Sequence, residues 1–353
     1  MGPLARNLIR VFIVSRSDKR FPMRVFVYEH ITGGGLLDQA LPSGLAQEGD
    51  MMLNALLRDL GDISGTELVT MRDPRLPELA LQVAVYTPRS AAECGRVLEQ
   101  CIDDANAVWP IAPESGGVLE RIHRMVLKHG RQLLSSHPDA VHLAASKHAT
   151  SRCLAQAGIA AVPTYWPDEL PHDTGGKWVV KPDDGAGCIE TRLFHNLLEA
   201  RCWLMSKPGN FVLQPLVSGT ALSLCVLCCK GKADLLSCNE QRVVVSDGQF
   251  HFLGSVLNAV TDRDGAFQDL ARGVAAAIPG LWGYVGIDLV QSGSRRIVME
   301  VNPRLTTSYA GLRPALGLNP AALVLNLLDE AIPMCLPEFL PRRVEVDVEA
   351  LRA

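Results

Sequence analysis

The feature that most limits the fold is a change of texture near residue 145. Before it, apolar runs of strand length alternate with segments of helical periodicity: RVFVYEHI, EGDMMLNALLRDL, ELVTMRD, AAECGRVLEQCIDDA, NAVWPIAPE and GGVLERIHRMVLKHG. Strands alternating with helices imply a parallel sheet with helices on its faces. In such sheets ligands gather in the loops that follow the strands. Glu29, the glycines Gly33, Gly34 and Gly35, and Glu114 are therefore pocket candidates, with a flexible turn the equal alternative for the glycines. Next comes SKHATSRCLAQAG, where Ser146 suits a helix N-cap and Gly158 a stop. Beyond it, apolar strands are separated by Gly and Asp turns, which predicts a second domain from residue 146. Residues 1–22 read as a flexible extension or an upstream start, with Met23 the natural beginning.

Composition narrows the function. With 353 residues the chain suits two or three domains. Its net charge of −4, with no basic stripe, argues against nucleic acid as a partner. No apolar run approaches the roughly 18 residues of a membrane span. LIRVFIV is interrupted by Arg10 and lacks a cleavage site, so a cytoplasmic location is expected. The ten cysteines read as buried thiols. In CVLCC, Cys225 and Cys228 face opposite sides of a strand, which disfavours a shared zinc even with Cys229 and Cys238 nearby.

The chemistry concentrates in YVGIDLVQSGSRRIVMEVNPR, two apolar runs joined by a turn. Glu300 and Asn302 share one strand face. A turn centred near Ser294 sets Asp288 opposite Glu300, and the three oxygen-bearing side chains then suit a hard cation such as Mg²⁺. Upstream, KWVVKPDDGAG aligns Lys177, Val179 and Lys181 on one face and ends in a loop where Gly185 and Gly187 free backbone N–H groups for an anion. FVLQPLVSG forms a hinge at Gln214, whose amides suit an adenine edge or simply a bend.

In this order the motifs resemble the ATP-grasp superfamily, over about residues 24–330: Lys147 in SKHATSRCLAQAG, Lys181 in VVKPDDGAG, QPLVSG, Asp288 in VGIDLV, and Glu300 and Asn302 in MEVNPR. MRVFVYEHITGGGL, WPIAPESGGVLERI and MEVNPRLTTSYAGLR look like the tyramine–glutamate ligase group, which serves methanofuran biosynthesis. The resemblance implies an α/β N-terminal Rossmann-like pre-ATP-grasp domain (23–145), a lid (146–215), an α+β C-terminal subdomain (216–330) and a tail (331–353). It implies an ADP-forming ligase for a carboxylate and an amine, working through an acyl phosphate. Lys147 and Lys181 would hold the ATP phosphates under Asp184, Gly185 and Gly187, and Gln214 and Leu216 would hold the adenine. Asp288, Glu300 and Asn302 would bind one or two Mg²⁺, or Mn²⁺. Lys181 and Arg304 would be catalytic, and a homodimer is open. The chain departs from the family pattern at Thr220 and Ala221, where a ribose-binding glutamate is common, and around Glu240–Arg242. Thr306, Thr307, Ser308 and Tyr309 are substrate contacts or only a helix start, and Tyr28, Tyr309 and Trp282 are candidates for an aromatic slot. The alternatives are a ligase for another amino-acid pair and a non-catalytic ATP sensor.

Overall fold

Val25, Phe26 and Val27 are buried on both faces of the first strand, which makes it the centre of a parallel sheet rather than an edge. A computed structural model describes residues 23–348 except 170–174, 186 and 208. The expected extension at 1–22 lies outside the described residues. The N-terminal unit runs β1 (Met23–Glu29), α1 (Ser43–Gly61), β2 (Thr66–Met71), β3 (Ala84–Tyr86), α2 (Ala91–Asp104), β4 (Ala107–Ile111), a 3₁₀ turn (Ser115–Gly117), α3 (Val118–Lys128) and β5 (Gln132–Leu133). Its strand order is β3-β2-β1-β4-β5, all parallel. The order reverses between β1 and β4, so Glu29 and Glu114 sit where such sheets open a crevice.

Two helices, α4 (Pro138–Ala145) and α5 (Lys147–Gln156), lead to the second unit. Ser146 caps α5 as expected, its hydroxyl accepting the Ala149 N–H at 3.0 Å. Then come β6 (Trp178–Pro182), β7 (Arg192–Phe194), α6 (Leu197–Met205), β8 (Phe211–Pro215), β9 (Thr220–Cys229), β10 (Lys232–Ser246), β11 (Gln249–Leu257), α7 (Ala266–Ala277), β12 (Gly283–Ser292), β13 (Arg295–Asn302), α8 (Tyr309–Leu316), α9 (Pro320–Asn326) and β14 (Val344–Asp347). Nine strands form one antiparallel sheet, β13-β12-β9-β10-β11-β7-β6-β8, with β14 paired to β11. The segment expected as a tail thus contributes a strand. Residues of β6, α6 and β8 keep a small core of their own around Trp178, Leu197 and Phe211.

One face of the central strands packs on α7 through Phe267, Ala271 and Val274. The other shares a core with the N-terminal unit, where Leu53, Leu56 and Leu60 of α1 meet Leu257, Tyr309 and Leu312. Asp59 of α1 ties this contact, accepting from the Tyr309 hydroxyl at 3.0 Å and from Arg313 at 3.2 Å. Among the described residues no helix is long and apolar enough to cross a membrane.

The end of β1 carries a pH-sensitive group. Glu29 is buried against α1, where a Cβ on Gly49 would come within 2.6 Å of its carboxylate. Burial pushes its pKa from 4.5 up to about 7, although the Thr32 N–H bonds it at 2.6 Å. A raised folded-state pKa means that stability is full at low pH and falls as pH rises through about 7. The loss is on the order of 3 kcal/mol. Glu29→Gln keeps an acceptor for Thr32 and removes the ionisation. Urea unfolding at about pH 5 and pH 8 is expected to show a smaller pH-dependent loss in the variant than in the parent.

Candidate active site

The acidic hairpin is built by a bulge. Ser292 pairs with Arg295 across a two-residue turn, and a regular ladder from there would set Asp288 against Met299. Instead Leu289 pairs with Val298 and Asp288 with Glu300, leaving Met299 as the extra residue. The expected turn centre is therefore half a residue off, and the bulge restores the expected opposition. Asn302 lies on the Glu300 face and donates to Asp288 at 3.1 Å. Gln241 of β10 donates to the other Asp288 oxygen at 3.0 Å.

Two lysines converge on Glu300. Lys147, the first residue of α5, lies 3.7 Å from its carboxylate, and Lys181 of β6 lies 3.9 Å away. Asp183 fixes the start of α5, its carboxylate accepting the His148 N–H at 2.9 Å and its carbonyl the Lys147 N–H at 3.1 Å. Glu114, Lys147, Asp184, Gly185, Glu300 and Asn302 line one small cavity.

Burial first, then the Glu300 charge, drive the Asp288 pKa well above the usual carboxylate range. Burial opposes the charge on Glu300 too, but Lys147 and Lys181 hold its pKa below the ordinary value. Burial and Lys147 lower the Lys181 pKa against the pull of Glu300. Two adjacent half-buried carboxylates and an amide oxygen, with two buried ammonium groups beside them, fit a hard divalent cation and a phosphate chain.

Arg304, just past β13, reaches the N-terminal unit. Its Nε–H is shared by both oxygens of Glu114 at 2.9 and 3.0 Å, and Nη1 donates to the Leu305 carbonyl at 3.0 Å. Burial disfavours this charge, yet Glu114, Glu300 and Asp288 raise its pKa.

Residues 144–308 match the family described as "ATP-grasp domain", and residues 66–141 match "pre ATP-grasp 3 domain". The chain belongs to the ATP-grasp superfamily. A tyramine–L-glutamate ligase of Methanocaldococcus fervens is 25% identical over 82% of this chain and 89% of its own length. An ATP-grasp superfamily protein from Archaeoglobus fulgidus superposes with a TM-score of 0.69 at 21% identity, over 86% of this chain and 88% of its own. An L-amino acid ligase from Bacillus licheniformis gives 0.62 at 14% identity, over 87% and 74%. The chain is an ADP-forming carbon–nitrogen ligase of the ATP-grasp class.

The other expected residues of the ATP-grasp site fall in several places. Asp184 turns its carboxylate to the Gly116 N–H at 2.7 Å, and Gly187 stands in open space with a φ of 66°. Gln214 is buried at the hinge. Its amide nitrogen donates to Thr164 at 2.9 Å, and its amide oxygen has no partner among the described residues. The Leu216 N–H is taken by the Lys177 carbonyl at 2.9 Å, so only its carbonyl fits the expected adenine contact. Thr306 bonds Tyr284 at 2.8 Å, and Ser308 lies 3.4 Å from Ser255.

The aromatic slot does not form from the residues named for it. Tyr28 and Tyr309 are 2% and 1% exposed in separate cores, and Trp282 packs against the second of these. The glycines after β1 also have packing reasons. A Cβ at Gly33 would lie 2.8 Å from the Tyr28 ring, and one at Gly35 would lie 2.1 Å from His30. Cys225 meets the Tyr284 hydroxyl at 3.1 Å, while Cys228 faces the α7 side.

Sequence reasoning missed Ser115, Gly116, Asp183 and Gln241. The SGG run after a predicted strand end was the signal for the first two. Asp183 stood beside a lysine and a proline, and nothing distinguished it from its neighbour Asp184.

Proposed function

We propose that the protein joins glutamate to tyramine or a tyrosine-like amine through an acyl phosphate, in methanofuran-type cofactor biosynthesis. The observation that carries the reading is Glu300 held between Lys147 and Lys181 and opposite Asp288. The curated relative of known name supports the substrate pair.

A carboxylate resists amines because its leaving group is poor. Here a carboxylate oxygen bonds the γ-phosphorus as the bond to the ADP oxygen breaks. The amine nitrogen then bonds the acyl carbon, phosphate departs with the electron pair, and the nitrogen loses a proton. Lys147 and Lys181 hold the phosphates, and Arg304 balances charge on the transferring group. Asp288, Glu300 and the Asn302 amide oxygen would hold one or two Mg²⁺, or Mn²⁺, which when bound neutralise phosphate charge. The loop that begins at Asp184 and Gly185 covers the phosphates and excludes water. Gln214 and Leu216 face the adenine.

Because Tyr28 and Tyr309 belong to the core, a different amino-acid pair is the second reading. It agrees with the likeness to an L-amino acid ligase. The test is whether ADP release requires a carboxylate and an amine together. A sensor would bind ATP without that dependence.

A further inference from the structure

Three consecutive residues after β4 touch two separate parts of the site. Glu114 holds Arg304, a contact between residues 190 apart in sequence. Ser115 donates from Oγ to the Asp184 carbonyl at 2.8 Å, and the Gly116 N–H donates to the Asp184 carboxylate at 2.7 Å. Gly116 and Gly117 adopt φ of 61° and 67°, a left-handed path that swings the chain from β4 into α3. That path aims the Gly116 N–H outward at the loop. The ion pair is well desolvated, with the Arg304 and Glu114 side chains 13% and 7% exposed.

We propose that Glu114–Ser115–Gly116 is the positioning element of phosphoryl transfer in this enzyme. Glu114 aims the Arg304 guanidinium at the acidic pair, and Ser115 and Gly116 hold the Asp184–Gly185 loop against the same site. The turn belongs to the N-terminal unit, whereas Arg304 and the loop belong to the ATP-grasp unit. Placement of the loop start and of the arginine is therefore set by one turn. A guanidinium has donors on several edges, and with Nε and Nη1 both occupied its rotation is removed. The consequence is commitment: the acyl phosphate meets the amine before water does.

This inference rests on the ligase reading, and the experiment separates the two. Amide and ADP are quantified together for the parent, Glu114→Gln, Ser115→Ala, Arg304→Lys and the Glu114→Gln/Arg304→Lys double variant, with ATP binding measured at equilibrium. Glu114→Gln is expected to bind ATP within roughly 3-fold of the parent while amide formation falls at least ~10-fold. ADP per amide is expected to rise above one, because water takes the acyl phosphate and returns carboxylate and phosphate. Ser115→Ala is expected to raise the same ratio by a smaller amount. On the Arg304→Lys background, Glu114→Gln is expected to cost little more, since it acts through that arginine. An equal cost on both backgrounds, or one ADP per amide in Glu114→Gln, overturns the inference and leaves the ligase reading intact. A parent that forms no amide with any pair overturns the ligase reading, and the inference falls with it.

Discussion

Glu300→Gln is expected to lower the rate of ADP formation at least ~100-fold, about 2.7 kcal/mol of transition-state stabilisation. The residue faces both lysines and the second carboxylate of the cavity. It stands 3.7 and 3.9 Å from the two lysines and pairs across the hairpin with Asp288. Glutamine keeps the volume and one carbonyl oxygen but removes the charge that balances two buried ammonium groups. The lysines then repel each other across the phosphate position, and the oxygen set for a hard cation loses a carboxylate. Initial rates across a magnesium titration check this, with circular dichroism to show that the fold is kept. A variant within about 3-fold of the parent would remove Glu300 from the reaction.

Lys181→Met is expected to reduce kcat/KM for ATP roughly 100-fold, with part of the loss in KM. Lys181 is 8% exposed, so its ammonium interacts with little solvent screening. Burial and Lys147 lower its pKa while Glu300 opposes them, so its charge depends on the anions in the site. Methionine fills the same volume and leaves Lys147 as the sole ammonium beside Glu300 among the described ion pairs. An anionic nucleotide then meets a carboxylate pair balanced by one ammonium instead of two. Steady-state kinetics at varied ATP check the prediction. A change confined to the amine or carboxylate KM would place Lys181 on the acceptor side instead.

The parts legible in the sequence were those with a local period. The strand and helix alternation before residue 145 gave the parallel unit, but β3 and β5, at three and two residues, were too short to show one. The opposition of Asp288 and Glu300 was reached from a turn centre near Ser294. The observed turn lies earlier by half a residue, and the bulge at Met299 compensates. No sequence signal marks that bulge, because Met299 is as apolar as its neighbours. Lys147 and Lys181 carried recognisable surroundings, a capped helix start and a strand ending in a glycine loop. Glu114 and Arg304 were each visible as polar residues at strand ends, yet their contact joins two domains and leaves no spacing to read. The aromatic candidates failed for a related reason. Tyr309 looks available after a polar run, but its hydroxyl is spent on Asp59, 250 residues away.

The acyl-phosphate route is tested by a single incubation with ATP, Mg²⁺, tyramine and glutamate carrying ¹⁸O in its carboxylates. ADP, the product amide and the inorganic phosphate are analysed by mass spectrometry. ADP release is expected only when both substrates are present, together with a glutamyl amide and phosphate bearing one ¹⁸O from the activated carboxylate. Amide formation with unlabelled phosphate would contradict the acyl-phosphate route. ATP binding without substrate-dependent ADP, across a wider set of amines and carboxylates, would contradict the ligase itself.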